Sequence, residues 1–79
     1  MSRKLVVGNC KVCGQGILEI VKELDTDKLY VRCDECEAEW DNPADALSNK
    51  NGSRNRYGNF EKASYEQVQE KEWLSYLAY

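Results

Sequence analysis

The sequence predicts one small α+β domain: a β-hairpin within a three-stranded antiparallel sheet, then a short helix and a C-terminal helix. Three observations predict this arrangement. Two cysteine pairs of identical spacing flank a segment rich in β-branched residues, and two helix-start signals follow the second pair. Because 79 residues have room for only one core, we expect residues 1–79 to form a single domain.

The segment between the cysteine pairs divides into two predicted strands, 17–24 and 28–33. Both are rich in Ile, Val, Leu and Tyr, and Asp25-Thr26-Asp27 supplies turn residues between them. A third short strand is expected at 38–40. We expect Trp40 to cover the hairpin core rather than bind a ligand, since small cores rely on one large aromatic side chain.

Two local signals predict the helices. Asn42 is a suitable N-cap and Pro43 fits a first helical turn, which predicts a helix over 43–48. Ser64 and Gln67 form a capping-box pattern that starts a helix over 64–78. Its apolar residues recur at helical spacing and are expected to pack on the hairpin. Residues 49–60 are rich in Asn, Gly, Ser and Arg and predict a mobile loop.

Composition excludes several classes of function. The chain has no histidine, which excludes Ser-His-Asp and Cys-His catalysis, and no nucleophile–base pair is apparent, so we expect no enzyme. A net charge of −3 argues against a general nucleic-acid or membrane-surface binder. Apolar runs are only a few residues long, so we expect a cytoplasmic protein with no membrane association.

The cysteines form the pairs Cys10-x2-Cys13 and Cys33-x2-Cys36, with nineteen residues between the pairs. This spacing is typical of a four-thiolate zinc site, because each two-residue turn aims two sulfurs at one ion. Disulfides are disfavoured in a cytosolic chain, and a redox Cys-x2-Cys usually needs βαβ surroundings. Zinc is therefore expected and iron is the alternative. A closed four-sulfur site predicts a structural metal.

With these cysteines and Gly14, residues 8–40 resemble a zinc ribbon over about half of the chain. The resemblance implies a metal and a fold but leaves function open, since ribbons serve in transcription, ribosomes, enzymes and adaptors. Glu37 departs from the pattern, because ribbons often carry glycine after the second pair. A positive φ is strained for glutamate, so we expect the second turn to differ from the first.

A narrower similarity covers residues 33–40 and the predicted helix at 42–47. This combination is similar to small bacterial immunity proteins of contact-dependent and polymorphic toxin systems. The resemblance implies a protein-binding inhibitor whose partner is a basic toxin domain, for example a nuclease.

Charge supports a basic partner, because residues 34–45 contain six carboxylates and no basic residue. We expect an electrostatic docking face there, which would raise the association rate of a basic protein. The carboxylates assigned to this face are Asp34, Glu35, Glu37, Glu39 and Asp41. Aromatic residues near the C-terminus are the candidate anchors of the interface: Trp73, Tyr76 and Tyr79.

Two other functions remain open from the sequence. The first is a nucleic-acid-binding or transcription and translation accessory role, in which a small basic patch binds phosphates. That patch comprises Lys50, Arg54, Arg56, Tyr57, Phe60 and Lys62. The second is a rubredoxin-like electron carrier with iron in the cage. Rubredoxins are expected to carry Pro and Gly around the second cysteine pair, where this chain has acidic residues.

Overall fold

A computed structural model describes residues 5–78. Strands and helices are numbered in chain order, and all strand pairings are antiparallel. The elements are β1 (Val6–Asn9), β2 (Ile17–Glu23), β3 (Leu29–Cys33), β4 (Glu39–Trp40), α1 (Pro43–Ser48), β5 (Phe60–Lys62), α2 (Tyr65–Glu70) and a 3₁₀ turn (Leu74–Tyr76). The α+β class is confirmed.

The predicted hairpin is present as β2 and β3, paired in register from Leu18 opposite Cys33 to Lys22 opposite Leu29. Asp27 takes a φ of 60° in the turn, which an aspartate tolerates better than most residues. The third predicted strand is β4, which pairs Trp40 with Val31. All three predicted strands are therefore confirmed, with ends shifted by one residue.

The sheet has five strands rather than three. Strands β1 and β5 are additional, and they lie end to end along one edge of β2. Strand β1 pairs with the first half of β2, and β5 pairs with the second half, from Val21 opposite Lys62 to Glu23 opposite Phe60. Both added strands are three or four residues long and lack a clear alternating pattern, which is why the sequence does not predict them.

The short helix α1 occupies the predicted 43–48, and its N-cap is confirmed. The Asn42 side chain accepts a hydrogen bond from the Asp45 N–H at 2.9 Å. The helix ends at Asn49, whose φ of 54° is left-handed, and the Lys50 N–H donates to the Asp45 carbonyl. Asparagine is the usual substitute for glycine at this position, so both ends of α1 follow from local chemistry.

The predicted C-terminal helix over 64–78 is shorter in the structure. The capping box at Ser64 and Gln67 is confirmed, but α2 ends at Glu70. Glu72 then takes a left-handed φ of 61°, and the Trp73 N–H donates to the Val68 carbonyl at 3.0 Å. This is a Schellman-type ending with glutamate in the place usually held by glycine. Residues 74–76 continue as one 3₁₀ turn.

The two faces of the sheet are buried by different parts of the chain. One face carries the main apolar core, which includes Leu18, Ile20, Val31, Trp40 and Val68 and extends to Cys10 and Cys33. The opposite face carries Tyr30, which stacks on Tyr57 from the segment 49–60, with ring centroids 4.0 Å apart. The cysteines thus lie at one end of a sheet that is covered on both sides.

Candidate metal centre

The four cysteine sulfurs converge at the end of the sheet. Cys10 follows β1 and Cys33 ends β3, so each begins a tight turn that brings back Cys13 and Cys36. Their sulfurs all lie within 4.8 Å of one another. The closest pairs join the two turns: Cys10 to Cys36 and Cys13 to Cys33, each at 3.7 Å.

These distances fit a tetrahedral metal ion. A metal–sulfur bond of about 2.3 Å places the sulfurs of a regular tetrahedron about 3.8 Å apart. A disulfide needs an S–S distance of about 2.0 Å, and all four cysteines are free. Cys10, Cys13, Cys33 and Cys36 therefore form a zinc-ribbon-like cluster with the spacing that a bound metal ion requires.

Backbone N–H groups surround the sulfurs and stabilise their ionised form. The Val12 N–H donates to Cys10 Sγ and the Glu35 N–H donates to Cys33 Sγ, both at 3.4 Å. The Gly16 N–H donates to Cys13 Sγ at 3.3 Å. Hydrogen bonds to thiolates balance the negative charge that a four-sulfur cage keeps after it binds a dication.

The thiols of Cys13 and Cys33 differ in their acidity. Hydrogen bonds from the Gln15 and Gly16 N–H groups lower the pKa of Cys13 to about 6. Burial raises the pKa of Cys33 to about 12, against the hydrogen bonds that it accepts. A buried thiolate is unfavourable without a positive charge nearby. A cation among the sulfurs supplies that charge, so the cage favours a metal ion at its centre.

The two cysteine turns share one backbone feature. The residue after the second cysteine is left-handed in each, with a φ of 70° at Gly14 and 62° at Glu37. Glu37 thus adopts the positive φ that is strained for glutamate, so the two turns do not differ at this position. They differ where they close, because the Cys10 N–H donates to the Gly16 carbonyl, six residues on, and the Cys33 N–H donates to the Ala38 carbonyl, five residues on. The Glu37 side chain is exposed and accepts a hydrogen bond from Arg32 Nη2 at 3.3 Å, which offsets part of the strain.

The predicted acidic docking face is divided by the fold. The Asp34 side chain accepts the Ile17 N–H at 2.9 Å and so joins the second cysteine turn to β2. Glu39 is only 6% exposed, because it lies opposite Arg32 on the second face of the sheet, where the segment 49–60 covers it and the Arg56 N–H donates to its side chain. Of the five assigned carboxylates, Glu35 and Glu37 are the exposed ones.

Asp41 is enclosed in a polar cluster on the second face of the sheet. It accepts hydrogen bonds from the Tyr57 hydroxyl and from Arg56 Nη1, and Lys28 Nζ lies 3.8 Å away. The Tyr57 hydrogen bond and the Arg56 charge lower the pKa of Asp41, although partial burial opposes them. This carboxylate is therefore used to hold the segment 49–60 against the sheet.

The predicted aromatic anchors have different environments. Trp73 and Tyr76 are half-buried and pack against the core cluster, as the amphipathic pattern indicates. Tyr79 lies outside the described residues. Trp40 is 1% exposed and belongs to the core that contains Cys10 and Cys33, which agrees with its predicted role as a cover of the hairpin.

The basic patch proposed for nucleic acid is spread over several environments. Arg56 pairs with Asp41, Tyr57 stacks on Tyr30, and Arg54 Nε donates to the Cys36 carbonyl at 3.1 Å. Phe60 begins β5 and lies beneath the Arg32 guanidinium, 4.4 Å from its carbon to the ring centroid. Lys50 and Lys62 are exposed.

One residue important for the cage was not assigned from the sequence. Gly16 is buried against the second cysteine turn, and a Cβ atom built on it would lie 2.5 Å from Cys33 Sγ. Glycine is therefore the residue that lets β2 approach the cage. The sequence Cys13-Gly14-Gln15-Gly16 contains the signal that could have identified it. Gly14 serves the turn, so a second glycine at position 16 indicates a close approach to another part of the chain.

Comparison with models of protein families, with curated proteins and with solved structures finds no match to this chain. Within residues 5–78, no helix has the length and apolar character needed to span a bilayer.

Proposed function

We propose that this protein is a non-catalytic protein-binding module whose fold is held by one structural zinc ion. The observation that carries the proposal is the closed cage, since four cysteine sulfurs complete a tetrahedron and leave no position for substrate or water. A structural zinc ion in a small domain contributes on the order of 10–16 kcal/mol to folding. Zinc is favoured over iron because the acidic second turn departs from the rubredoxin pattern.

The metal is tested by elemental analysis of the protein purified from its own host. We expect one zinc ion per chain and a colourless solution. A coloured protein with stoichiometric iron would overturn the zinc assignment and support the electron carrier. Metal in much less than one equivalent, in a protein that remains folded, would contradict a structural role.

The proposed partner is a basic protein. The chain carries a net charge of −3, and four thiolates around a dication bring the metal-bound protein to about −5. Glu35 and Glu37 stand exposed on the second cysteine turn beside this charge. Negative charge at this end increases the association rate with a basic surface. The most specific form of the proposal is an immunity-type inhibitor that neutralises a basic toxin domain, for example a nuclease.

The partner is tested by gentle capture of the tagged protein from its host, followed by native mass spectrometry. We expect one stoichiometric basic protein. Neutralisation requires in addition that the captured protein is toxic when expressed alone and harmless when co-expressed. Capture of nucleic acid, or of no partner, would overturn the proposal. The first of these outcomes would favour the basic residues of the segment 49–60.

The docking surface is tested by reversing charge on the second cysteine turn. Glu35→Lys combined with Glu37→Lys should slow association at low salt about tenfold and leave dissociation nearly unchanged. The matched control is Asp25→Lys combined with Glu66→Lys, which reverses two exposed carboxylates outside the cysteine turns. Equal effects of the two changes would indicate general charge rather than this surface. Asp34 is left intact, because its side chain holds β2.

A further inference from the structure

Three asparagines of the segment 49–60 have a left-handed backbone. They are Asn49, Asn51 and Asn55, with φ values of 54°, 58° and 58°, and all three are exposed. Asparagine tolerates this conformation better than most residues, which explains its repeated use in the segment. The three positions therefore share residue type, backbone conformation and exposure, and they differ in the residue that follows.

Asn51 is followed by Gly52, and this is the only Asn-Gly pair in the sequence. Gly52 is exposed, and its N–H makes no hydrogen bond within residues 5–78. Glycine is needed at this position, because a Cβ atom would lie 3.0 Å from Trp40 Nε1. The fold therefore requires both residues of the pair, one for a left-handed backbone and the other for the absence of a side chain.

The other two left-handed asparagines precede backbone N–H groups that are already bonded. After Asn49, the Lys50 N–H donates to the Asp45 carbonyl at 2.9 Å. After Asn55, the Arg56 N–H donates to a carboxylate oxygen of β4 at 3.0 Å. Both following residues also carry long side chains. The nitrogen after Asn51 is therefore the one of the three that is neither bonded nor shielded by a side chain.

An Asn-Gly pair can react with itself. The Gly52 nitrogen attacks Cγ of Asn51, and the new C–N bond closes a five-membered succinimide ring, a reaction favoured by the proximity of the two groups. The Cγ–Nδ2 bond breaks, and ammonia leaves with the proton of the Gly52 N–H. Water then opens the ring: attack at Cγ gives aspartate, and attack at the backbone carbonyl gives isoaspartate. The net reaction consumes one water molecule and releases one ammonia molecule.

We propose that Asn51 is a site of spontaneous deamidation in the folded protein, and that the isoaspartyl product releases the segment 49–60 from β4. The proposal rests on the exposure of the pair and on the free Gly52 N–H. It requires only water as a reactant, so it is independent of the metal ion and of the basic partner proposed above.

The product cannot keep the contacts that Asn51 and its neighbours make. Asn51 Nδ2 donates to Asp45 Oδ2 at 3.4 Å, and deamidation replaces this donor by a carboxylate, which Asp45 repels. Isoaspartate also adds one carbon to the main chain just before Gly52. The next residue, Ser53, donates its N–H to the Glu39 carbonyl at 2.9 Å and accepts the Glu39 N–H at 2.8 Å. A longer main chain shifts Ser53 away from this pairing.

The test incubates the full metal-bound chain at physiological temperature and mildly alkaline pH and then digests it with trypsin. Cleavage after Lys50 and Arg54 gives the peptide 51–54, whose asparagine, aspartate and isoaspartate forms separate by chromatography. Digestion in heavy-oxygen water labels any conversion that occurs during the digestion itself. We expect isoaspartate to be the main product in this peptide, with Asn49 and Asn55 unchanged.

Two results of the incubation would overturn the proposal. The first is loss of Asn55 as fast as loss of Asn51, because the free Gly52 N–H would then give no advantage. The second is an intact Asn51 in the folded chain over a period in which the chain unfolded in urea with chelator is converted. That result would mean that the fold protects the pair.

The release from β4 is tested by deuterium exchange. The N–H groups of Ser53 and Glu39 should exchange about tenfold faster in the isoaspartyl form than in the fresh protein, as expected for loss of one hydrogen bond. Asn51→Gly is the matched control, because glycine adopts the same φ and has no amide to lose. Its mass and its exchange should not change on incubation. Equal exchange in the fresh and isoaspartyl proteins would contradict the release.

Discussion

The two cysteine turns share two backbone features although their sequences differ. In each, the N–H two residues after the first cysteine donates to its sulfur, at 3.4 Å from Val12 and from Glu35. In each, the residue after the second cysteine is left-handed, although one is Gly14 and the other Glu37. Glutamate therefore takes at the second turn the conformation that glycine takes at the first, and its side chain contacts Arg32.

The turns differ in how they are joined to the sheet. The first turn lies next to Gly16, which allows β2 to approach Cys33. The second turn is tied to β2 by the Asp34 side chain, which accepts the Ile17 N–H. The first connection depends on the absence of a side chain at Gly16, and the second depends on the Asp34 carboxylate. Substitutions in the two turns should therefore have unequal effects.

The largest expected effect comes from removing one ligand of the proposed metal ion, because both cysteine turns bind that ion. Cys33→Ser deletes a fully buried ligand, and we expect the domain to lose cooperative unfolding, because metal binding contributes on the order of 10–16 kcal/mol. Circular dichroism during heating, with metal content measured in parallel, tests this. A Cys33→Ser protein that melts cooperatively with chelator present would contradict the structural role of the cage.

The next effect is a steric one at the first turn. Gly16→Ala would place a Cβ atom 2.5 Å from Cys33 Sγ, so either the strand or the sulfur must move. We expect a loss of about 1–3 kcal/mol and a weaker metal site. Urea unfolding and competition with a chromogenic chelator measure the two effects. Gly58→Ala serves as the control. Similar losses of unfolding free energy in both variants would contradict a specific steric role of Gly16 next to the cage.

At the second turn the expected effect is loss of a hydrogen bond. Asp34→Ala leaves the Ile17 N–H without its acceptor, and we expect a loss of about 1–2 kcal/mol in the free energy of unfolding. Lys11→Ala changes the corresponding position of the first turn, where the side chain is exposed, and should stay within about 0.5 kcal/mol of the parent. If Asp34→Ala and Lys11→Ala lowered the free energy of unfolding equally, the Asp34 side chain would not be a specific connection between the second turn and β2.

The smallest effects concern the left-handed residues. Gly14→Ala should cost about 1 kcal/mol, because alanine is strained at a φ of 70°. Glu37→Gly relieves the same strain but loses the contact with Arg32, so we expect a gain of no more than about 0.5 kcal/mol. Urea unfolding at fixed metal concentration compares them. A loss in Glu37→Gly as large as that in Gly14→Ala would mean that the Arg32 contact dominates.

The features that the sequence predicts correctly are local. Each Cys-x2-Cys turn, the cap formed by Asn42 and the capping box at Ser64 depend on residues a few positions apart, and the predicted geometry is present in each. The cysteine cluster as a whole was predictable because the two pairs have the same spacing, although nineteen residues separate them. Strand β5 is different, because it forms through pairing with β2 some forty residues earlier in the chain. A three-residue strand has too little pattern of its own to indicate that partner.

The end of α2 and the exposure of the acidic residues could not be predicted from the sequence pattern. Helix α2 ends at Glu70 and is terminated by Glu72, whose left-handed conformation is usually adopted by glycine, so the apolar pattern extends the prediction past the observed end. The acidic stretch is continuous in sequence, yet the segment 49–60 covers Glu39, and Asp41 binds Arg56 and Tyr57, which lie fifteen and sixteen residues further along the chain. Partners at such separations decide which charges remain exposed.

The shared edge of β2 has a further consequence for the motions of the native protein. Its first half is closed by β1, which leads directly into Cys10, whereas its second half is closed by β5 and by the Leu24 N–H bonded to the Asn59 carbonyl. These closures depend on different parts of the chain. We therefore expect the β2 amide hydrogens that point to this edge to fall into two deuterium-exchange groups: one opens with the cysteine cage, and the other opens with the segment that precedes β5.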